Sequence, residues 1–356
     1  METKNSTRNL LLQHYEKYPA LQIQDFFKFL FQSAFGCEHL LSDSSAATDY
    51  IRKEADECLP HIGDVIEPLD GEYCRVHLDC IKQGLSAETF GKLFFLSAVP
   101  TANGKEILEE KLSVMTKLIS EGLLPFSKEE TDKEIKKWQS LNYPACHHSE
   151  NFRNEYHPAY RLLKKEYALF LPLFTAIDSL LSTREKVTIA IEGGSASGKT
   201  TLGKLLAQVY DCNVFHMDDF FLRSEQRTME RFAEAGGNVD RERFLSEVLI
   251  PLSKNEIISY QPFDCSTFTL APSRSVEPKQ LNIVEGAYSM HPLLADYYDY
   301  SLFLDITSEL QKKRITKRNT PDMAKRFFSE WIPMEEKYFS ALHIKERCSV
   351  IISISE

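Results

Sequence analysis

Residues 193–200 read Gly193-Gly194-Ser195-Ala196-Ser197-Gly198-Lys199-Thr200 and satisfy the pattern GxxxxGK[ST] in full. The β-rich run VTIAI precedes them and the helix-compatible TLGKLLAQVY follows. Glycines at such a turn let successive backbone N–H groups converge on an anion at the start of a helix, where unpaired donors and the helix dipole both favour negative charge. The pattern needs a strand before it and a helix after it. It therefore commits this part of the chain to strands alternating with helices.

The chemistry of the pattern implies a nucleoside triphosphate together with Mg²⁺. Lys199 reaches the β and γ phosphates, and Thr200 offers a hydroxyl to the Mg²⁺ that bridges them. The expected ATP contacts are Gly193, Gly194, Ser195, Ala196, Ser197, Gly198, Lys199, Thr200 and Thr201.

Beyond the loop, short apolar runs at Val187 to Ile191, Val214 to Met217, Asn282 to Val284, Leu302 to Ile306 and Ser349 to Ser353 alternate with helical patterns. Parallel neighbours need crossover connections, so this rhythm predicts an α/β doubly wound parallel sheet. Residues 1–181 read instead as a mostly α-helical domain of roughly five or six helices. With 356 residues, two domains are expected, at 1–181 and 182–356.

Three groups outside the loop fit phosphoryl transfer. His216-Met217-Asp218-Asp219-Phe220-Phe221 puts two acids at a strand's carboxyl end, where open parallel sheets place their ligands. Asp218 can accept a proton from an attacking hydroxyl; alternatively both acids cap the next segment or serve only Mg²⁺. Glu285, between the apolar NIV and Gly286, would project from a strand end towards Mg²⁺. Gln311 to Arg318, QKKRITKR, gathers five cations in eight residues. Arg314 and Arg318 share one helix face and suit a cationic lid, with Arg326 as a third member; a solvated helix face is the alternative.

The formal charge of −10 argues against broad binding to nucleic acid or anionic membrane. No apolar stretch is long enough for a signal core or a membrane span, and eight cysteines without a CxxC pair fit free thiols in a reducing cytoplasm. The expected partner is a small-molecule hydroxyl substrate, with a homo-oligomer left open.

In order and spacing, the segments GGSASGKTT, MDDFF, DRERF, YQPFD, IVEGAY and FLDITSELQKKRITKRN resemble the phosphoribulokinase and uridine kinase family of P-loop kinases, across about Val187 to Ser353. The resemblance implies transfer of the ATP γ-phosphoryl group to a primary hydroxyl, most plausibly of a nucleoside. Asp218 matches the family's catalytic base, with Lys199, Arg314 and Arg318 as catalytic cations and Thr200 and Glu285 on the metal. It also implies acceptor contacts from Asp219, Phe221, Asp240, Phe263 and Asp264, Asp240 at the ribose hydroxyls. Uridine kinases usually offer a Tyr and, five residues later, a His to the pyrimidine edge, where this chain has Phe263 and Phe268. A phenyl ring stacks but forms no such hydrogen bonds, so uridine itself is not carried over.

The first domain offers two clusters. Cys37 with His39, His77 and Cys146-His147-His148 contain metal-ligand types without the paired spacing of a structural zinc site; scattered side chains are the simpler account. His148-Ser149 through Arg153, Tyr156, His157, Tyr160 and Arg161 could grip a phosphate or sugar, or be a capped helix start, with Pro158 opening a helix. The rival function is an ATP-binding regulator whose output is the helical domain. Pantothenate, glycerate or a sugar phosphate are the non-nucleoside acceptors.

Overall fold

A computed structural model describes residues 2–37, 44–61 and 63–355. His39 lies outside the described residues. The chain divides into two compact units, Met1–Asp178 and Ser179–Glu356.

Among the described residues, seven helices reach 11 residues or more before the second unit's sheet begins: Glu2–Lys17, Ile23–Phe35, Ser44–Glu57, Ala87–Ser97, Gly104–Ser120, Lys128–Ser140 and Leu171–Leu181. The second is the centre of the first unit's core. Its run IQDFFKFLFQSAF buries Phe26, Phe27, Phe29, Leu30 and Phe31, because five phenylalanines with Ile23, Leu30 and Ala34 leave little polar face. Gly36 at φ 63° ends it. Ser86 caps the helix Ala87–Ser97 by accepting from Thr89 N at 3.0 Å.

The first unit also contains strands, which the helical reading of residues 1–181 did not include. β1 (Ile66–Pro68), β2 (Tyr73–His77) and β3 (Tyr160–Lys164) form an antiparallel sheet in the order β1-β2-β3. Tyr160 and Arg161 therefore sit on a strand, paired with His77 and Val76, and not in the first turn of a helix. The helix in this region is Glu150–Tyr156; His157 terminates it in the left-handed conformation, φ 42° and ψ 56°. Pro158 then begins an extended segment. Residues 158–181 are therefore not one helix: a short turn at Lys165–Ala168 ends first, and Pro172 lies in the opening turn of Leu171–Leu181, where its missing N–H costs nothing.

In the second unit β4 (Val187–Gly193), β5 (Cys212–His216), β10 (Leu281–Glu285), β11 (Tyr300–Ile306) and β12 (Val350–Ile354) form one sheet in the order β12-β11-β4-β10-β5, every pair parallel. Between them β6 (Ile258–Tyr260) pairs with β9 (Arg274–Val276), and β7 (Phe263–Asp264) with β8 (Thr269–Leu270). β4 and β10 are buried at every residue, as central parallel strands covered on both faces must be. One face carries Ala190, Phe215, Val284 and Phe303 into a core with Phe220, Phe244, Val248 and Tyr338. The helix Lys199–Val209 buries Leu202, Leu205, Leu206 and Val209 and packs on β4, β5 and β10. This is an α/β doubly wound parallel sheet.

The register positions the site. Glu285 is level with Ile191 on one side and His216 on the other, and Leu304 is level with Gly193. The carboxyl ends of β4, β5, β10 and β11 thus finish on one edge, where such sheets bind ligands.

Candidate active site

The phosphate-binding loop leaves β4 at Gly193 and enters the helix at Lys199. Gly193 has φ 146°, and a Cβ there would lie 2.7 Å from Leu304 O, so only glycine lets the loop leave the sheet beside β11. Lys199 Nζ donates to Gly193 O at 2.8 Å and Gly194 O at 2.9 Å, holding the ammonium inside the loop. Ser197 Oγ is buried without a hydrogen-bond partner. A polar group left so costs roughly 1–3 kcal/mol, which a bound phosphate oxygen would recover. Thr201 occupies the helix's first turn.

Thr200 Oγ1 donates to Glu285 Oε1 at 3.0 Å, and the same oxygen lies 2.5 Å from His216 Nδ1. That bond pushes the His216 pKa up. Glu285 is 4% exposed and projects from the end of β10. Asp218 stands two residues beyond β5, in the short 3-10 turn Met217–Phe220. Crowding by protein pushes its pKa up although the side chain keeps an open mouth to solvent; Lys199 opposes that shift, and Glu285 adds to it.

Two acids that sequence reasoning missed complete the cluster. Glu335, on the helix Ile332–Ala341, accepts from Ser195 N at 2.8 Å and Ser195 Oγ at 2.6 Å. Glu192, the residue before the loop, accepts from Gly193 N at 2.8 Å, Met290 N at 3.0 Å and Tyr338 Oη at 3.0 Å. Burial raises the pKa of both, that of Glu192 to about 7. A carboxylate inside the apolar run VTIAIE was the one available signal for Glu192. Nothing local marks Glu335, 140 positions after its partner.

Asp218, Glu285, Glu192 and Glu335 gather four carboxyl groups near Lys199, and a divalent cation would favour their ionised forms. The hard oxygens of Thr200, Glu285 and Asp218 suit Mg²⁺. Among the described residues no three His, Cys, Asp or Glu groups are arranged to hold a metal unaided. Mg²⁺ ordinarily takes only one or two carboxylates and fills its octahedron with phosphate oxygens and water, so the donor set fits.

The two lid arginines differ. Arg314 Nη1 donates to Ala196 O at 3.1 Å and Ser197 O at 3.4 Å, and the neighbouring Gln311 donates to Ser195 O at 2.9 Å. Arg318, one turn on, lies over the Phe327 ring at 5.7 Å, and Arg326 over Trp331 at 5.0 Å. On the acceptor side, Asp219 receives Tyr260 Oη and Arg274 Nη1, each at 3.4 Å. Asp240 caps the turn Arg241–Phe244 and accepts from Gln226 Nε2 at 2.7 Å. Asp264 closes its own hairpin by accepting from Ser266 N and Oγ. Phe221 bridges to Val239, and buried Phe263 meets Phe268 edge-on at 5.9 Å.

Comparison with known proteins gives consistent results. The family model for shikimate kinase matches residues 195–260. The chain is 31% identical to human nicotinamide riboside kinase 2 over 166 residues, 43% of this chain and 67% of that protein. It is 27% identical to the uridine kinase of Oceanobacillus iheyensis over 154 residues, 41% of this chain and 72% of that one. Uridine kinase-like protein 3 of Arabidopsis thaliana is 27% identical over 142 residues, 37% of this chain and only 30% of the plant protein. With its loop, its parallel sheet and its match to two thirds of the human enzyme, the chain belongs to the uridine kinase-like family of P-loop kinases.

Proposed function

We propose that the chain transfers the γ-phosphoryl group of ATP to a hydroxyl of a small ribosyl compound, a nucleoside or close analogue. The observation that carries this reading is the convergence of Lys199, Thr200, Glu285 and Asp218 at the carboxyl edge of β4, β5 and β10. The ribosyl acceptor is supported by the names of two relatives, a uridine kinase and a nicotinamide riboside kinase.

ATP supplies the transferable group when bound, and Mg²⁺ the neutralisation of its charge. The chain's own residues do the rest. Loop N–H groups, Ser197 Oγ and Lys199 hold the phosphates, while Arg314 stiffens the loop through its carbonyls. Thr200 and Glu285 would hold the metal. Asp218 takes the proton from the acceptor hydroxyl as its oxygen bonds to phosphorus and the bond from phosphorus to the ADP oxygen breaks. Crowding by protein raises the Asp218 pKa and the Lys199 ammonium opposes that shift, so the carboxylate is a better base than a freely solvated one.

Phe263 and Phe268 offer ring faces and edges, so the acceptor's base or ring is held by stacking. The shikimate kinase match favours one second reading, a non-nucleoside alcohol in the same place. Incubating the protein with Mg·ATP and nucleosides, pantothenate, glycerate and sugar phosphates tests both. Acceptor-dependent ADP release with a product heavier by one phosphoryl group is expected; none across the panel overturns the proposal.

A further inference from the structure

The first unit holds a cavity of about 360 Å³ whose walls come from sequence positions as distant as Lys17 and Tyr160. Lys17 enters from the end of the first helix and Tyr18 from just beyond it, His61 from the loop before β1, Glu67 from β1, Arg75 and His77 from β2, and Tyr156 and Tyr160 from either side of Pro158. Of the sequence cluster from His148 to Arg161, Tyr156, His157 and Tyr160 line this cavity. Arg161 turns to Glu54 at 2.7 Å.

The hydrogen bonding of this cluster is incomplete in one chemical sense. Arg75 is 1% exposed; its Nη1 pairs with Glu67 Oε1 at 3.0 Å and its Nε with Gln32 Oε1 at 2.9 Å. Its Nη2 is buried with no partner, as are His61 Nε2 and His77 Nε2. Glu67 cannot serve them. It already accepts from Tyr18 Oη at 2.8 Å, lies 3.3 Å from His14 Nδ1, and is 3.8 Å from His77 Nε2, beyond a hydrogen bond. The His61 and His77 rings stack with centroids 3.4 Å apart, which brings both imidazole edges to one side of the cavity. Lys17, 40% exposed, adds an ammonium at the rim, where Asp79 and Glu155 also stand.

Each unpaired buried polar atom costs about 1–3 kcal/mol; Arg75 Nη2, which can only donate, needs an acceptor, and the two imidazole Nε2 atoms beside it can turn donor towards an anion. A phosphate presents three terminal oxygens to that set and a carboxylate only two. The cavity is far larger than a bare ion requires, and Tyr18, Phe152 and Tyr156 wall its remainder with aromatic surface suited to a ring. The same imidazoles and Glu67 are not spaced as metal ligands.

We propose that this cavity is a second binding site, separate from the phosphate-binding loop, for the phosphate group of a ring-bearing phosphate monoester. Arg75, His61 and His77 bind its oxygens, Lys17 attracts it, and the aromatic wall holds its ring. This site does not depend on the kinase reading.

Calorimetric titration of the full chain with ribose 5-phosphate, inorganic phosphate and ribose tests it. Ribose 5-phosphate is expected to bind more tightly than phosphate, and ribose not at all. His61→Ala and Lys17→Ala, at positions not fully buried, should together weaken binding at least tenfold while far-UV circular dichroism and the unfolding midpoint stay unchanged. Lys199→Ala should leave this binding intact. Equal affinity for phosphate and ribose 5-phosphate overturns the monoester assignment. Binding that survives the His61 and Lys17 changes, binding that disappears with Lys199→Ala, or no binding at millimolar ligand overturns the site itself.

Discussion

The phosphate-binding loop of the second unit and the Arg75 cluster of the first both bury charge, but they draw it from opposite arrangements of sequence. Eight consecutive residues make the loop, and the backbone itself supplies most of its donors. The Arg75 cluster takes side chains from Lys17 to Tyr160, delivered by several separate elements. Charge in the loop is held by main-chain geometry, so it tolerates change at many side chains and almost none at Gly193 or Lys199. In the cluster it is held by side-chain pairs such as Arg75 with Glu67 and His148 with Asp25, where removing one partner strands the other.

That contrast can be broken experimentally, beginning with the loop. Lys199→Ala should lower turnover by about 10³-fold or more with the unfolding midpoint unchanged, since one charged donor aimed at developing charge is worth that much. Steady-state kinetics with the acceptor found above checks it, and undiminished turnover would remove the loop from the chemistry.

In the first unit the expected damage is to stability. Asp25 is fully buried and accepts from His148 Nδ1 at 3.0 Å, Ser149 N at 2.9 Å, Ser149 Oγ at 2.6 Å and Gln22 N at 3.0 Å. Burial pushes its carboxyl up, but these bonds outweigh burial and bring it down to about 2. Asp25→Ala strands all four donors and should cost about 3–5 kcal/mol in urea denaturation. A loss below 1 kcal/mol would mean the cluster is not held by its pairs.

Acid should expose the same dependence. Burial lowers the pKa of His14 and His148 to about 4, against the hydrogen bonds that Glu67 and Asp25 make to them. Both imidazoles stay neutral in the folded chain while the unfolded chain takes up protons below about 6.5. The stability they leave intact at neutral pH is therefore lost as pH falls from 6.5 through 4, by roughly 2 kcal/mol per imidazole at pH 5. A melting temperature unchanged between pH 7 and pH 5 would contradict this.

The smallest effect concerns a distant carboxylate that the loop also relies on. Glu335 puts a carboxylate against Ser195 N–H, so its charge opposes an incoming triphosphate. Glu335→Gln should tighten ATP binding about three- to tenfold, read as KM for ATP. Weaker binding would instead assign Glu335 to holding the loop in shape.

The same contrast explains what could be read without coordinates. The sheet strands stood out because β4, β10 and β11 at the centre are apolar runs and β5 and β12 at the edges are short and β-rich, and Lys199, Thr200, Asp218 and Glu285 follow from where such strands end. β2 was hidden: YCRVH alternates too briefly to announce a strand, and its partner β3 follows more than eighty positions later. Pro158 misled in a physically instructive way, since proline opens helices and extended segments equally well and only the left-handed His157 decides between them. Arg314 and Arg318 share a helix face, yet one turn of rise takes the first to the loop carbonyls and the second to Phe327. Spacing places residues on a face; it does not say how far along that face the partner lies.

The β2–β3 pairing also bears on how the chain is made. Translation is vectorial, so Arg75 leaves the ribosome long before Tyr160 exists to cover it. During that interval the nascent guanidinium must stay hydrated, because an open strand edge offers it nothing to stack against. The first unit's sheet can close only after residue 164 has emerged. Any slowing of synthesis between residues 77 and 160 therefore lengthens the life of an exposed, half-made sheet.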